Sequence, residues 1–163
     1  MKITLLCVGK IKEKFYRDAI AEYGKRLGRY CRLEIVEVAD EKTPEGAGPA
    51  AEEQIREREG ERLLARLEKY RQAGAFICAL AIDGRQLDSM GFSQRLEQLG
   101  IGGTSHVVFL IGGSLGMSEQ VLGESHMRLS FSPMTFPHQL MRVILLEQIY
   151  RAYRIMNGEP YHK

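Results

Sequence analysis

The run Gly112-Gly113-Ser114-Leu115-Gly116 stands between an apolar segment and a short helical pattern. Glycines at such a junction let backbone approach a ligand closely, and a helix start offers unpaired N–H groups. The run has neither the GxGxxG spacing nor the Gly-Lys-Ser/Thr ending of a phosphate loop. It reads either as a tight turn or as a ligand seat at the carboxyl end of a parallel strand. A second segment, Leu129-Ser130-Phe131-Ser132-Pro133-Met134-Thr135-Phe136-Pro137-His138, combines two prolines with several hydroxyls. That is the chemistry of a rigid polar connection, with Pro137 suited to a first helical turn. A third, Asn157 to Lys163, ends in Tyr161-His162-Lys163. It is either a frayed terminus or an aromatic surface, an imidazole and a cation presented together.

Other residues with chemical potential are scattered. His106 and His126 stand at strand edges, and the four histidines lack metal-ligand spacing. Cys7, Cys31 and Cys78 form no CxxC pair, so neither a zinc site nor a disulfide framework is expected. They read as small buried residues in a reducing compartment.

These segments need elements to position them. Lys2 to Val8 is apolar after its first residue, as in a strand buried on both faces. Phe15, Ile20, Tyr23 and Leu27 recur at helical spacing, and Leu33 to Val38 resumes as a strand. Asp40 to Pro49 is loop, followed by a charged helix from about Ala50 to Gln72 with Ile55, Leu63, Leu64 and Leu67 inward. Ala75 to Ile82 is a buried strand, stopped by the turn dipeptide Asp83-Gly84. A short helix over Phe92 to Leu99, capped by Ser89, precedes a strand at His106 to Ile111. Ser118 to Gly123 forms a short helix, Met127 to Phe131 a last strand, and Leu140 to Met156 a long helix ending at Asn157-Gly158. Strands alternating with helices predict one α/β domain over residues 1–163, with a mostly parallel sheet flanked by helices.

The final helix is apolar almost all round and so requires cover on more than one side. Val143, Ile144, Leu146, Ile149 and Tyr150 are more than one small subunit would bury, which predicts a homodimer with two-fold symmetry. At 163 residues, 44% hydrophobic and 27% charged, the chain is neither disordered nor fibrous. No apolar run reaches the ~18 residues of a membrane span, and the amino end lacks a signal-peptide pattern; a cytoplasmic protein without a membrane partner is expected. Net charge is +2, but residues 1–32 carry nine Lys/Arg against three carboxylates, and residues 40–62 carry eight carboxylates against four Lys/Arg. The basic third is compatible with a polyanionic partner or with a solvated face.

The glycine run, the loop ending in Pro137-His138 and the Arg-Ala-Tyr-Arg-Ile…Pro-Tyr-His carboxyl end occur in an order and spacing that resembles the ribosomal large-subunit pseudouridine N3-methyltransferases, small members of the SPOUT superfamily. The likeness runs from "KITLLCVGK" through "LAIDG" and "FLIGGSLG" to "PYHK", while residues 40–50 match no motif. The resemblance implies a carboxyl-terminal trefoil knot, an obligate homodimer and S-adenosylmethionine as cofactor. Cofactor positions carried over are Leu80, the glycine run with Gly112, Gly113 and Gly116, and Ser132, Pro133, Met134, Thr135, Phe136 and Pro137. The implied substrate is a pseudouridine of ribosomal RNA, within the ribosome or large subunit because so short a chain has little surface for direct readout of sequence. Ring N3 must shed a proton to accept a methyl group. The polar groups near the matching motifs are His138, Arg142, Arg151, Tyr161 and His162, and which is the base stays open. His162 can remove the proton, Arg151 can stabilise the anion or hold a phosphate, and Tyr161 can stack on a base. The residues alone also allow a non-catalytic RNA- or ribosome-binding module, or a small enzyme binding another nucleotide at Gly112–Gly116.

Overall fold

A computed structural model describes residues 1–163. Its elements are β1 (Lys2–Val8), α1 (Lys14–Leu27), β2 (Arg32–Val38), α2 (Pro49–Gln72), β3 (Phe76–Gln86), α3 (Ser89–Ile101), β4 (His106–Ile111), α4 (Glu119–Gly123), β5 (Met127–Ser130) and α5 (His138–Met156). The five strands form one sheet in the order β2-β1-β4-β3-β5, with every pairing parallel. No helix is long and apolar enough to cross a membrane.

Side-chain alternation along the strands divides the core. Ile3, Leu5, Cys7, Val107, Phe109 and Ile111 meet Leu27 of α1, Phe92 and Leu96 of α3, and Leu145, Leu146, Ile149 and Ala152 of α5. Leu6, Val8, Ile77, Ala79, Val108 and Leu110 meet Leu63, Leu67 and Tyr70 of α2 and Val121 and Leu122 of α4. Both faces are therefore covered, which is why β1 and β4 read as unbroken apolar runs. The cysteines are free, and burial pushes the thiols of Cys7 and Cys78 up to about 12. His106 Nε2 lies 2.8 Å from Thr4 Oγ1, and His126 Nδ1 accepts from the Ile77 N–H at 2.9 Å, so both rings are tied into the sheet.

Four expectations are corrected. Asp83-Gly84 does not stop β3; the strand continues to Gln86 through an irregularity between Leu80 and Arg85, both of which register with Leu129. Gly84 is required there because a Cβ would lie 2.7 Å from the Arg128 carbonyl carbon, too close for any side chain. Asp88, not Ser89, caps α3, accepting from the Gly91 N–H, while the Ser89 hydroxyl donates to Gln148 of α5. α5 starts two residues early, with Pro137 as its cap rather than in its first turn. Leu146 and Ile149 are fully buried within this chain, because α1 and α3 supply cover that periodicity does not reveal. Leu140, Val143 and Ile144 are left half-buried and belong to neither core cluster.

α5 does not lie beneath the strand that precedes it. β5 is at the sheet edge beside β3, yet Arg142 of α5 donates to the Gly9 carbonyl at 2.6 Å and to Glu37 at 2.5 Å, at the ends of β1 and β2. Residues 131–137 therefore cross the carboxyl ends of β3 and β4.

Candidate functional site

That crossing makes a cleft of about 750 Å³, within the usual range for small-molecule sites. Its walls are the end of β3 from Leu80 to Asp83, the glycine run after β4, the 131–137 loop, and His138 and Met141 of α5. Leu80, Gly112, Gly113, Gly116, Ser132, Met134, Thr135, Phe136, Pro137 and His138 all line it; Pro133 belongs to the same loop without lining the cleft. Glu52 and Arg56 of α2 close one side. Their spacing is that of an ordinary solvated ion pair, so nothing in the sequence marks them. Asp83 was hidden by its reading as a turn residue.

The cleft is built mainly of backbone. Gly116 donates to the Gly113 carbonyl at 3.1 Å, folding the run back on itself. A Cβ on Gly112 would lie 2.8 Å from Met117 Cγ and 2.9 Å from the Gly116 carbonyl carbon, so the turn closes only with glycine there. The N–H groups of Gly112, Ser114 and Leu115, and those of Thr135 and Phe136, have no hydrogen-bond partner within the chain. Two facing loops thus offer donors over an apolar floor of Leu80, Ile111, Leu129 and Met141.

Behind the run lies a residue that sequence reasoning missed. Glu59 is 3% exposed; its Oε2 accepts from the Glu41 N–H at 3.0 Å and its Oε1 has no partner. Burial raises its pKa, and it sits where a Cβ on Gly113 would come within 2.9 Å. The signal was the row Ile55–Glu59–Leu63–Leu67, a carboxylate within an apolar stripe at i, i+4 spacing.

The five polar candidates separate into three places. His138 lines the cleft, and its Nε2 would lie 3.6 Å from a Cβ on Gly9. Burial, then the Arg142 charge, holds its pKa below the ordinary value, partly opposed by Asp40 and Glu13. Arg142 is 1% exposed, holds Glu37 and the carbonyls of Val8 and Gly9, and is not among the side chains that line the cleft; these bonds anchor α5. Arg151, Tyr161 and His162 form a cluster further along α5, roughly 20 Å from His138 at 1.5 Å per residue. There the tail is docked rather than frayed. Tyr161 donates to Glu147 at 3.1 Å, and its ring meets Tyr150 edge-on with centroids 5.0 Å apart. Arg151 forks onto Glu147, covers the Tyr161 ring at 4.5 Å, and lies 3.3 Å from His162 Nδ1. Arg154 holds Glu159 and the Pro160 carbonyl. Since Arg can only donate, His162 Nδ1 accepts, and a neutral His162 carries its proton on Nε2. Burial and Glu147 raise the Tyr161 pKa, so the phenol stays a donor. No group of three His, Cys, Asp or Glu side chains is arranged to hold a metal ion.

A family model described as "Predicted SPOUT methyltransferase" matches residues 1–162. The chain is 61% identical to a "Ribosomal RNA large subunit methyltransferase H" of Bifidobacterium adolescentis and 55% identical to the protein so named in Clostridium tetani. Each alignment covers all of both chains. Among solved structures, a probable methylase family protein from Haemophilus influenzae superposes with a TM-score of 0.56 at 9% identity, over 99% of this chain and 70% of that one.

Proposed function

The chain belongs to the SPOUT methyltransferase family, and from that premise we propose that it transfers the methyl group of S-adenosylmethionine to N3 of a pseudouridine in large-subunit ribosomal RNA. The observation that carries the reading is the cleft walled by two loops of unpartnered N–H groups. Its residues fit the cofactor: the backbone donors of Gly112, Ser114, Leu115, Thr135 and Phe136 suit the polar ends, and Leu80, Ile111, Leu129 and Met141 suit the apolar body. When bound, the cofactor supplies an electrophilic methyl group on a sulfonium. The chain's part is to seat the base in line and to remove the N3 proton. His138 is the group poised for that removal, because its lowered pKa keeps the imidazole neutral at pH 7. Arg151 and the His162 Nε2–H are donors suited to the negative charge left on the ring, and Tyr161 is the stacking surface.

Within one chain those donors are too far from His138 to act with it, so the site is completed by a homodimer. Leu140, Ile144, Glu147 and Arg151 fall on one stripe of α5, and its apolar members are only half-covered. An isologous contact centred between Ile144 and Glu147 brings the Arg151 end of one α5 opposite the Leu140 end of its partner. The tail of one subunit then faces the cleft of the other. The trefoil threading belongs to the same reading, supported by the crossing of residues 131–137 over β3 and β4, as does a single methyltransferase domain over 1–163 acting in the cytoplasm. The test is calorimetry with S-adenosylmethionine, followed by transfer of labelled methyl to large subunits, intact ribosomes and naked transcript. The expected result is micromolar binding, transfer to an assembled particle above transcript, and N3-methylpseudouridine in the digest. RNA binding without cofactor binding would overturn the reading in favour of a non-catalytic module.

A further inference from the structure

The acidic stretch 40–62 supplies both Glu52 and Arg56 to the cleft wall, and its first residue, Asp40, lies beside Gly9, with Cβ 3.8 Å from where a Cβ on Gly9 would stand. Gly9 also opens the β1–α1 connection, where Lys10 and Lys12 are exposed and take part in no ion pair. Arg17 donates to the carbonyls of Ile11 and Lys12 at 3.3 and 2.8 Å, so this connection is stapled to the first turn of α1. Glu13, the one carboxylate between residues 10 and 17, has its Oε2 buried and does not offset the lysines at the surface. Beside them Phe15 is 65% exposed, its ring 4.4 Å from that of Tyr16. The connection begins at Gly9, against His138 and under the Arg142 guanidinium, and so continues directly from the cleft.

Resting on the methyl-transfer reading, we infer that the Lys10–Phe15 segment is the surface that holds the RNA strand flanking the target nucleotide, with phosphates on Lys10 and Lys12 and a base stacked on Phe15. An aromatic face beside unpaired cations is what single-stranded nucleic acid requires. A second copy of the chain is a poor occupant. A two-fold contact through this segment sets Lys10 and Lys12 against their own counterparts.

The test is direct binding of large ribosomal subunits by the wild-type chain, by the Lys10→Glu/Lys12→Glu double variant and by Phe15→Ser. Each is measured at about 50 and about 200 mM salt. Charge reversal is expected to weaken binding at least about tenfold at the lower salt. It should also flatten the slope of log affinity against log salt by about 1.4, the value for two lost single-strand phosphate contacts. Phe15→Ser is expected to weaken binding roughly fivefold or more with the slope unchanged. Calorimetric affinity for S-adenosylmethionine and the sedimentation coefficient should stay at wild-type values in both. Unchanged affinity and slope in the double variant overturn the inference. So does an effect of Phe15→Ser alone, which assigns the patch to a protein surface of the particle, and so does an altered oligomeric state, which assigns it to a subunit contact. A wild-type chain that binds particles with this salt slope but transfers no methyl group overturns the catalytic reading while supporting the surface.

Discussion

The cleft and the tail cluster are built from opposite materials. The cleft is backbone: glycine turns, unpartnered N–H groups and strand ends, fixed by the sheet beneath them. The tail cluster is side chain, with Arg151, Glu147, Tyr150, Tyr161 and His162 holding one another on one stretch of α5. Backbone donors in a shaped cavity suit a ligand that must be held the same way each time, as a cofactor is. A cluster of charged and aromatic side chains suits a substrate that arrives as part of something large. The difference also concerns ownership: the cleft is complete within one chain, whereas the tail cluster stands away from any cleft of its own.

The sharpest way to break this comparison is to remove the tail. Deleting Tyr161 to Lys163 should lower methyl transfer by about 10³-fold, while calorimetric cofactor affinity changes less than about twofold. Pairing that truncated subunit with one carrying Gly113→Arg should restore activity, because an intact cleft then faces an intact tail. A mixture that stays inactive would show that each tail serves its own chain. Next in size is His138→Gln, with an expected loss of about 10²-fold in turnover and unchanged cofactor binding. Gly112→Val acts on the other region alone, forcing the turn open against Met117 and the Gly116 backbone. Cofactor affinity should fall roughly 10- to 100-fold, with the dimer intact by sedimentation.

The smallest effect is a pH shift. A proton acceptor must be neutral, and His138 stays neutral until pH falls through a pKa depressed below its ordinary value of 6.5. The acid limb of turnover should therefore have its midpoint below 6.5. Asp40→Asn removes a charge that raises this pKa, so the limb should move to still lower pH. An acid limb that stays in place in Asp40→Asn and persists in His138→Gln would assign the proton to another group.

Strands β1 and β4 were legible because burial on both faces leaves only apolar residues, and the cleft loops were legible because the glycine run and the 131–137 segment resemble a known family. Gly84 was not, since Asp-Gly signals a turn unless a neighbouring strand demands close approach, and that neighbour is known only from the fold. The all-apolar surface of α5 announced two covers but not which residues each would claim; α1 and α3 took Leu146 and Ile149. Arg142 looked like any cation near a motif. Only the fold shows the carbonyls of Val8 and Gly9 beneath it, 134 and 133 positions away in the chain.

The sheet order carries a kinetic consequence. Thr4 of β1 meets His106 of β4 across 102 positions, and the Arg142 clamp closes on Gly9 across 133. At ribosomal synthesis rates β1 waits roughly 5–20 s for its inner neighbour, and longer for the clamp. During that wait an apolar strand has at most β2 beside it, leaving its other edge open to strands of other chains. With so many of its contacts non-local, the chain should refold slowly from denaturant. Stalling synthesis before β4 emerges should yield an aggregation-prone nascent chain, and stalling after α5 emerges a protease-resistant one.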